Sequence, residues 1–173
     1  LLQLGSTPSG EIVLAPVYDI IHQTGGELQA TLGNNLLKLE ALRRQGQGET
    51  YIAAVGGFEY TFVGFLETKI DLGFLGEYHF DERGRSAATP FNHDLFIGAR
   101  LAINDAADAQ FLAGVVADLY GNGYLLNIEA SRRFGNYWKL DLEVRFLLGI
   151  DNADPLYSMR RDDYVLLELQ RFF

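Results

Sequence analysis

From Trp138 to Ile150, apolar and charged side chains alternate with a period of two. Trp138, Leu140, Leu142, Val144, Phe146, Leu148 and Ile150 fall in one phase, and Lys139, Asp141, Glu143 and Arg145 in the other. Successive side chains of a strand point to opposite faces, whereas a helix would scatter these charges around its axis, so the pattern predicts a strand with one apolar and one charged face. Thr68 to Asp81 repeats the design, with Ile70, Leu72, Phe74, Tyr78 and Phe80 opposing Lys69, Asp71, Glu77 and His79. In Asp94 to Asn104, Leu95, Ile97, Ala99, Leu101 and Ile103 oppose Asp94, Arg100 and Asn104.

Turn signals separate these segments at regular intervals. Gly33-Asn34-Asn35, Val63 to Glu67, Asn104 to Asp108 and Gly135-Asn136 read as short connections. Thr24 to Gly26, Gln45 to Glu49, Asp81 to His93, Gly121 to Gly123 and Asp151 to Arg161 alternate with them, and two of these are long. The spacing predicts about ten strands, near 11–22, 27–32, 36–45, 50–62, 68–81, 93–104, 110–120, 124–134, 137–150 and 162–173. Pro16 confines the first to an edge or a strand start. Residues 1–173 read as one all-β domain, an antiparallel up-and-down arrangement of eight to ten strands, with 1–10 as a flexible or periplasmic start.

Composition removes several function classes. The net charge is −9 and no Lys/Arg run exceeds two residues, so the basic face that neutralises phosphates is missing and no nucleic-acid partner is expected. The absence of cysteine excludes a disulfide framework, a thiolate zinc site and a cysteine nucleophile. The longest apolar run, Tyr51 to Phe58, has eight residues, whereas a spanning helix needs about 20. Leu1 to Gly10 carries neither the basic nor the apolar region of a signal peptide, which predicts a cytosolic chain or a processed or truncated one. The strands, by contrast, are long. A strand tilted by about 45° crosses the hydrocarbon core of a bilayer with about 9 to 11 residues, and most segments after residue 36 reach that length.

Alternation alone does not say which face is wet, because a soluble barrel and a membrane barrel carry the same pattern inverted. Three features choose. Tyr60, Phe62, Tyr78, Phe80, Phe134, Trp138 and Phe173 lie at strand ends in phase with the apolar residues, as interfacial aromatic girdles do. The charged phase mixes signs and is interspersed with Gly57, Gly73, Gly98 and Gly114, which leaves room for water or an ion-pair network on an inner face. Finally, the last segment, Asp163 to Phe173, places Val165, Leu167, Leu169 and the terminal Phe173 in one phase.

That ending resembles the C-terminal signature of bacterial outer-membrane β-barrel proteins, an amphipathic last strand closed by Phe. Arg171, where the family usually has an apolar or aromatic residue, is a departure that snorkelling to headgroups accommodates. Short connections on one side and longer loops on the other are also what such barrels show. Gly26 to Gly33 followed by Leu37 to Ala41 is similar to hairpins of larger porin-type proteins, so the chain is either a small barrel or the C-terminal part of a wider one. The resemblance implies an outer-membrane location. It also implies contact with membrane lipid and lipopolysaccharide, and recognition of Val165, Leu167, Leu169 and Phe173 by the assembly machinery.

On this reading the lumen is lined by Lys38, Glu40, Glu59, Lys69, Asp71, Glu77, His79, Arg100, Asp118, Glu129, Arg133, Lys139, Asp141, Glu143, Arg145 and Glu168. The acidic excess favours cations if the pore is open, while in a barrel of eight to ten strands the charges pair and fill the interior. The expected function is a porin-like channel for passive passage of small polar solutes. The alternative is a non-conducting barrel whose loops, chiefly Asp81 to His93 and Asp151 to Arg161, meet an external partner. His79 and Asp81 share a phase near a rim, and with Asp162-Asp163 they are similar to the acidic and histidine residues used by omptin-type proteases. No second motif accompanies them, and neither His22, His79 nor His93 precedes a Ser by two residues. Asp81-Glu82 and Asp151-Asn152-Ala153-Asp154 have carboxylates suited to calcium, a pattern that solvent-facing loops often share. No catalytic residue, metal or cofactor is therefore assigned.

Overall fold

The computed structural model describes residues 2–6, 11–16, 18–46 and 48–173. Two short strands, β1 (Leu2–Ser6) and β2 (Ile12–Pro16), pair with each other in a separate antiparallel hairpin. Nine further strands form one sheet: β3 (His22–Leu32), β4 (Asn35–Gln45), β5 (Tyr51–Phe62), β6 (Ile70–Asp81), β7 (His93–Ile103), β8 (Ala109–Asp118), β9 (Tyr124–Phe134), β10 (Trp138–Leu148) and β11 (Tyr164–Arg171). Every strand of this sheet pairs antiparallel with its chain neighbours. The order is therefore an uninterrupted meander with β3 at one edge and β11 at the other. These two edges run in the same direction and are not joined, so the sheet is not closed into a barrel.

The connections divide by side as the turn signals predict. At one end lie 33–34, 63–69, 104–108 and 135–137; at the other lie 46–50, 82–92, 119–123 and 149–163. Gly33 and Gly135 each adopt φ +60, the left-handed conformation that lets the chain reverse within two or three residues. One predicted turn is wrong. Thr24, Gly25 and Gly26 are not a connection but lie within β3, paired with Arg43, Leu42 and Ala41. The ladder from β4 continues past the glycines, and its hydrogen bonds outweigh the weak strand preference of two glycines. The predicted strand over 11–22 is likewise replaced by the shorter β2 and a β3 that begins at His22.

The register fixes the faces of the sheet. Cα partners share a face, so the alternating residues of each strand align into two continuous surfaces from β3 to β11. One surface carries Leu28, Leu39, Phe58, Phe74, Ile97, Phe111, Ile128, Val144 and Leu167; the other carries Glu27, Glu40, Glu59, Glu77, Arg100, Glu129, Glu143 and Glu168. The apolar surface is the exposed one. Leu28 is 67% accessible, Ile97 57% and Leu167 65%, and among the described residues only Tyr51, Ala87 and Leu147 form a buried hydrophobic core. The accessible area is 12047 Å², against about 8,500 Å² expected of a folded soluble monomer of this mass. Burial of apolar area is what holds a soluble sheet together. This sheet leaves that area outside.

Candidate functional site

The polar face gathers the charged residues of the meander. Its carboxylates are Glu27, Glu40, Glu59, Asp71, Glu77, Asp81, Asp94, Asp118, Glu129, Asp141, Glu143 and Glu168, and its cations are Lys38, Arg44, Arg100, Arg133, Lys139 and Arg145. Every strand residue expected on a charged face, His79 included, lies on this one. Lys69 is the exception in position: it sits in the 63–69 connection, one residue before β6, where its carbonyl accepts the Asn104 N–H. Glu27 and Arg44 are absent from the charged phase read from the sequence, whereas Asp81 and Asp94, in that phase but not among the lumen residues expected there, join this face. Glu27 and Arg44 lie in the first hairpin, whose phase was obscured by reading Thr24 to Gly26 as a turn.

Several of these charges are paired along a strand or across one. Lys139 Nζ lies 2.5 Å from Asp141 Oδ1, Arg145 Nη2 3.1 Å from Glu143 Oε1, and His79 Nε2 2.8 Å from Glu77 Oε1. Arg100 on β7 pairs with Glu59 on β5, reaching over Gly73 of β6. A Cβ on Gly73 would stand 3.3 Å from Glu59 Oε1 and 3.8 Å from Arg100 Cβ, so the missing side chain opens the lane for the pair. Gly98 and Gly114 face each other on β7 and β8 and receive the ring of Phe96, which a Cβ would meet at 2.7 and 2.3 Å respectively. The glycines in phase with the charges thus make space for specific neighbours.

Two recesses of several hundred cubic ångströms lie on this surface. One, of about 370 Å³, is lined by Arg100, Gln110, Glu129, Ser131, Asp141, Glu143 and Glu168 among others. A second, of about 420 Å³, lies between Gln23, Glu27, Glu40, Ala53 and Val55. Asn127 Oδ1, Asp141 Oδ2 and Arg145 Nε, all on the polar face of β9 and β10, are buried without a protein hydrogen-bond partner. Polar atoms in that condition are satisfied by water.

The buried residues other than glycine lie toward the end with the longer loops. Asp81, Asn92 and Asp94 are buried at this end, as are Tyr51, Ala87 and Leu147. Asp81 accepts hydrogen bonds from the backbone N–H, Nε and Nη2 of Arg83, whose guanidinium stacks 3.6 Å over the Tyr51 ring. The side-chain hydrogen bond to Asp81 raises the Arg83 pKa above its ordinary value. Arg85 Nη2 donates to the Tyr120 carbonyl at 2.7 Å and lies 4.0 Å from Asp151 Oδ2, which ties loop 82–92 to loops 119–123 and 149–163. His79 and Asp81 have separate partners, Glu77 and Arg83, while Asp163 accepts the Leu147 N–H. Asp151 and Asp154 accept the backbone N–H groups of Ala153 and Leu156. Among the described residues no group of three or more His, Cys, Asp or Glu is placed to hold a metal ion.

The apolar face has its own charge pattern. Within the nine-stranded sheet it carries no carboxylate, and its permanent cations are Arg43, Arg132 and Arg171. Aromatic side chains cluster toward its ends. Tyr60, Phe62, Phe134 and Trp138 stand near the end with the shorter connections, and Tyr78, Phe80 and Tyr124 near the other. Val165, Leu167 and Leu169 lie on this face of β11, and Phe173 follows it fully exposed.

No protein-family model, no curated protein and no solved structure matches the chain. The fold and its faces define a class by themselves: an all-β, up-and-down antiparallel meander, apolar outside its hydrogen-bonded plane on one side and charged on the other. Among the described residues no helix is long and apolar enough to cross a membrane.

Proposed function

We propose that this chain forms wall strands of a bacterial outer-membrane β-barrel of porin type, through which small polar solutes or ions pass without covalent chemistry. One observation carries the reading: the apolar face is exposed from β3 to β11, while the charged face holds the recesses and the unpartnered buried polar atoms. Water inside and lipid outside reverse the demand that a soluble fold places on its sheet, and both faces then have a suitable solvent. Strands β3 to β10 have 10 to 12 residues each, enough to cross at a tilt. The open edges favour a wider barrel completed by other strands, since an unpaired edge in hydrocarbon leaves its N–H and C=O groups unsatisfied.

In this setting the short connections face the periplasm and loops 82–92 and 149–163 face outward, toward lipopolysaccharide. β11 with Phe173 is the segment presented to the assembly machinery. The excess of carboxylates on the polar face favours cations in the lumen. Recording in planar bilayers tests the channel: the expected result is discrete conductance steps with a reversal potential set by the cation, and silence at every voltage overturns it. Extraction as a monodisperse species without detergent would overturn the membrane reading itself.

A second reading has support of its own. Arg85 links three loops, two of them long, into one rim, a rigidity suited to a barrel that displays a binding surface rather than a pore. Barrels that insert into bilayers yet remain silent would select it.

A further inference from the structure

We infer that the apolar face holds a headgroup site for an anionic glycerophospholipid at the short-connection end of β9, β10 and β11. The inference rests on the membrane-barrel reading above. Arg171, Trp138 and Phe134 stand in one register row across β11, β10 and β9, and Arg132 lies one row farther in, opposite Leu140. Both arginines are exposed.

The side chains lean the same way. The Arg132 guanidinium carbon lies 5.4 Å from the centroid of Phe134, two residues farther along β9. That of Arg171 lies 5.3 Å from the Trp138 ring and 4.8 Å from Phe173, two residues beyond. β9 and β11 both run toward the short connections, so each guanidinium is drawn from its own backbone position toward that rim. The rows place the two Cα atoms about 10 Å apart across the strands and about 7 Å along them. Long, flexible arginine side chains can cover these distances, which lets two of them converge on one headgroup.

Charge decides the occupant. Arg83, Arg85, Arg100 and Arg145 sit beside carboxylates, whereas among the described residues no carboxylate lies within ion-pair distance of Arg132 or Arg171, a condition they share with Arg43, Arg44, Arg133, Arg160 and Arg161. Their own face of the sheet has no carboxylate at all. Two guanidiniums braced on aromatic rings, flanked by apolar strand residues and open on one side, fit a phosphate joined to acyl chains. The phosphate takes the charge-assisted hydrogen bonds, and the chains lie down along Leu140 and Leu169. The periplasmic side of an outer membrane is its phospholipid leaflet, so the site faces the lipid class it fits.

Trp138 is the chain's single tryptophan, which makes the site its own reporter. The full chain is reconstituted into phosphatidylcholine vesicles containing a small fraction of brominated phosphatidylglycerol or, in parallel, brominated phosphatidylcholine. Trp138 fluorescence should be quenched at about tenfold lower mole fraction by the anionic lipid. The R132Q/R171Q variant should lose that preference, R132K/R171K should keep most of it, and R43Q at the opposite rim should leave it unchanged. Equal quenching of the parent protein by both lipids overturns the site while leaving the barrel reading intact. Absence of quenching by either lipid removes Trp138 from the bilayer and overturns both.

Discussion

Arg100 and Glu59 are joined across an intervening strand, with Gly73 between them. The pair couples β5 to β7 without a shared backbone ladder. Replacing Gly73 by Leu would put side-chain atoms where the pair now meets. The expected outcome is a loss of about 1–3 kcal/mol, typical of overpacking, read as a lower temperature for the heat-dependent shift on a gel. Glu59→Gln should cost less, about 0–1 kcal/mol, because half-exposed Arg100 retains water.

Phe96 and the two glycines beneath it make a second, independent test. Gly114→Ala should destabilise the sheet, because a Cβ there meets the ring at 2.3 Å. Removing the ring should relieve it: F96A/G114A should recover stability relative to the sum of the single changes, and a double-mutant cycle measures the coupling. Additive effects would show that the ring does not sit in this seat.

Ile97 gives opposite signs for the two possible solvents. It is exposed near the middle of β7 on the apolar face. In a bilayer Ile97→Arg should cost about 2–4 kcal/mol, measured as reduced folding into vesicles. On a water-facing surface the same change would improve solubility and leave stability nearly untouched.

At the rim, Asp81 is buried and bonded three times by Arg83. Asp81→Ala should release the loop from Tyr51 at a cost of about 1–3 kcal/mol. Limited proteolysis should then cut within 82–92 faster than within 149–163. Unchanged cleavage would mean that the Arg85 link to Tyr120 and Asp151 suffices to hold the loop.

Much of this architecture was legible because a period-two pattern states both the element and its faces. The alternation in β6, β7 and β10 located every charged strand residue on the correct surface, and Gly57, Gly73, Gly98 and Gly114 were assigned to that surface before their neighbours were known. What they accommodate was not legible, because Phe96 meets Gly114, and Arg100 meets Glu59, through inter-strand register rather than spacing along the chain. Gly25 and Gly26 misled for a local reason: a glycine pair is a turn signal unless a neighbouring ladder carries it. Leu147 and Tyr51 are apolar residues in the charged phase, and their burial depends on loops folding over one end. The headgroup arginines were visible only as single residues. Their common lean toward one rim emerges when β9 and β11 are placed on either side of Trp138.

If the meander belongs to a closed ring, as proposed, its reversals constrain how that ring can close. Eight hairpin turns bring β11 back to the direction of β3, so a direct seam between these edges would run parallel, unlike every pairing within the sheet. A ring whose neighbours all alternate therefore needs an odd number of added strands, which makes the total even, the rule for single-chain bacterial barrels. A symmetric pair of these sheets, standing upright side by side, would carry two parallel seams. On the proposed barrel reading, the like direction of the two borders argues against a direct antiparallel seam between β3 and β11.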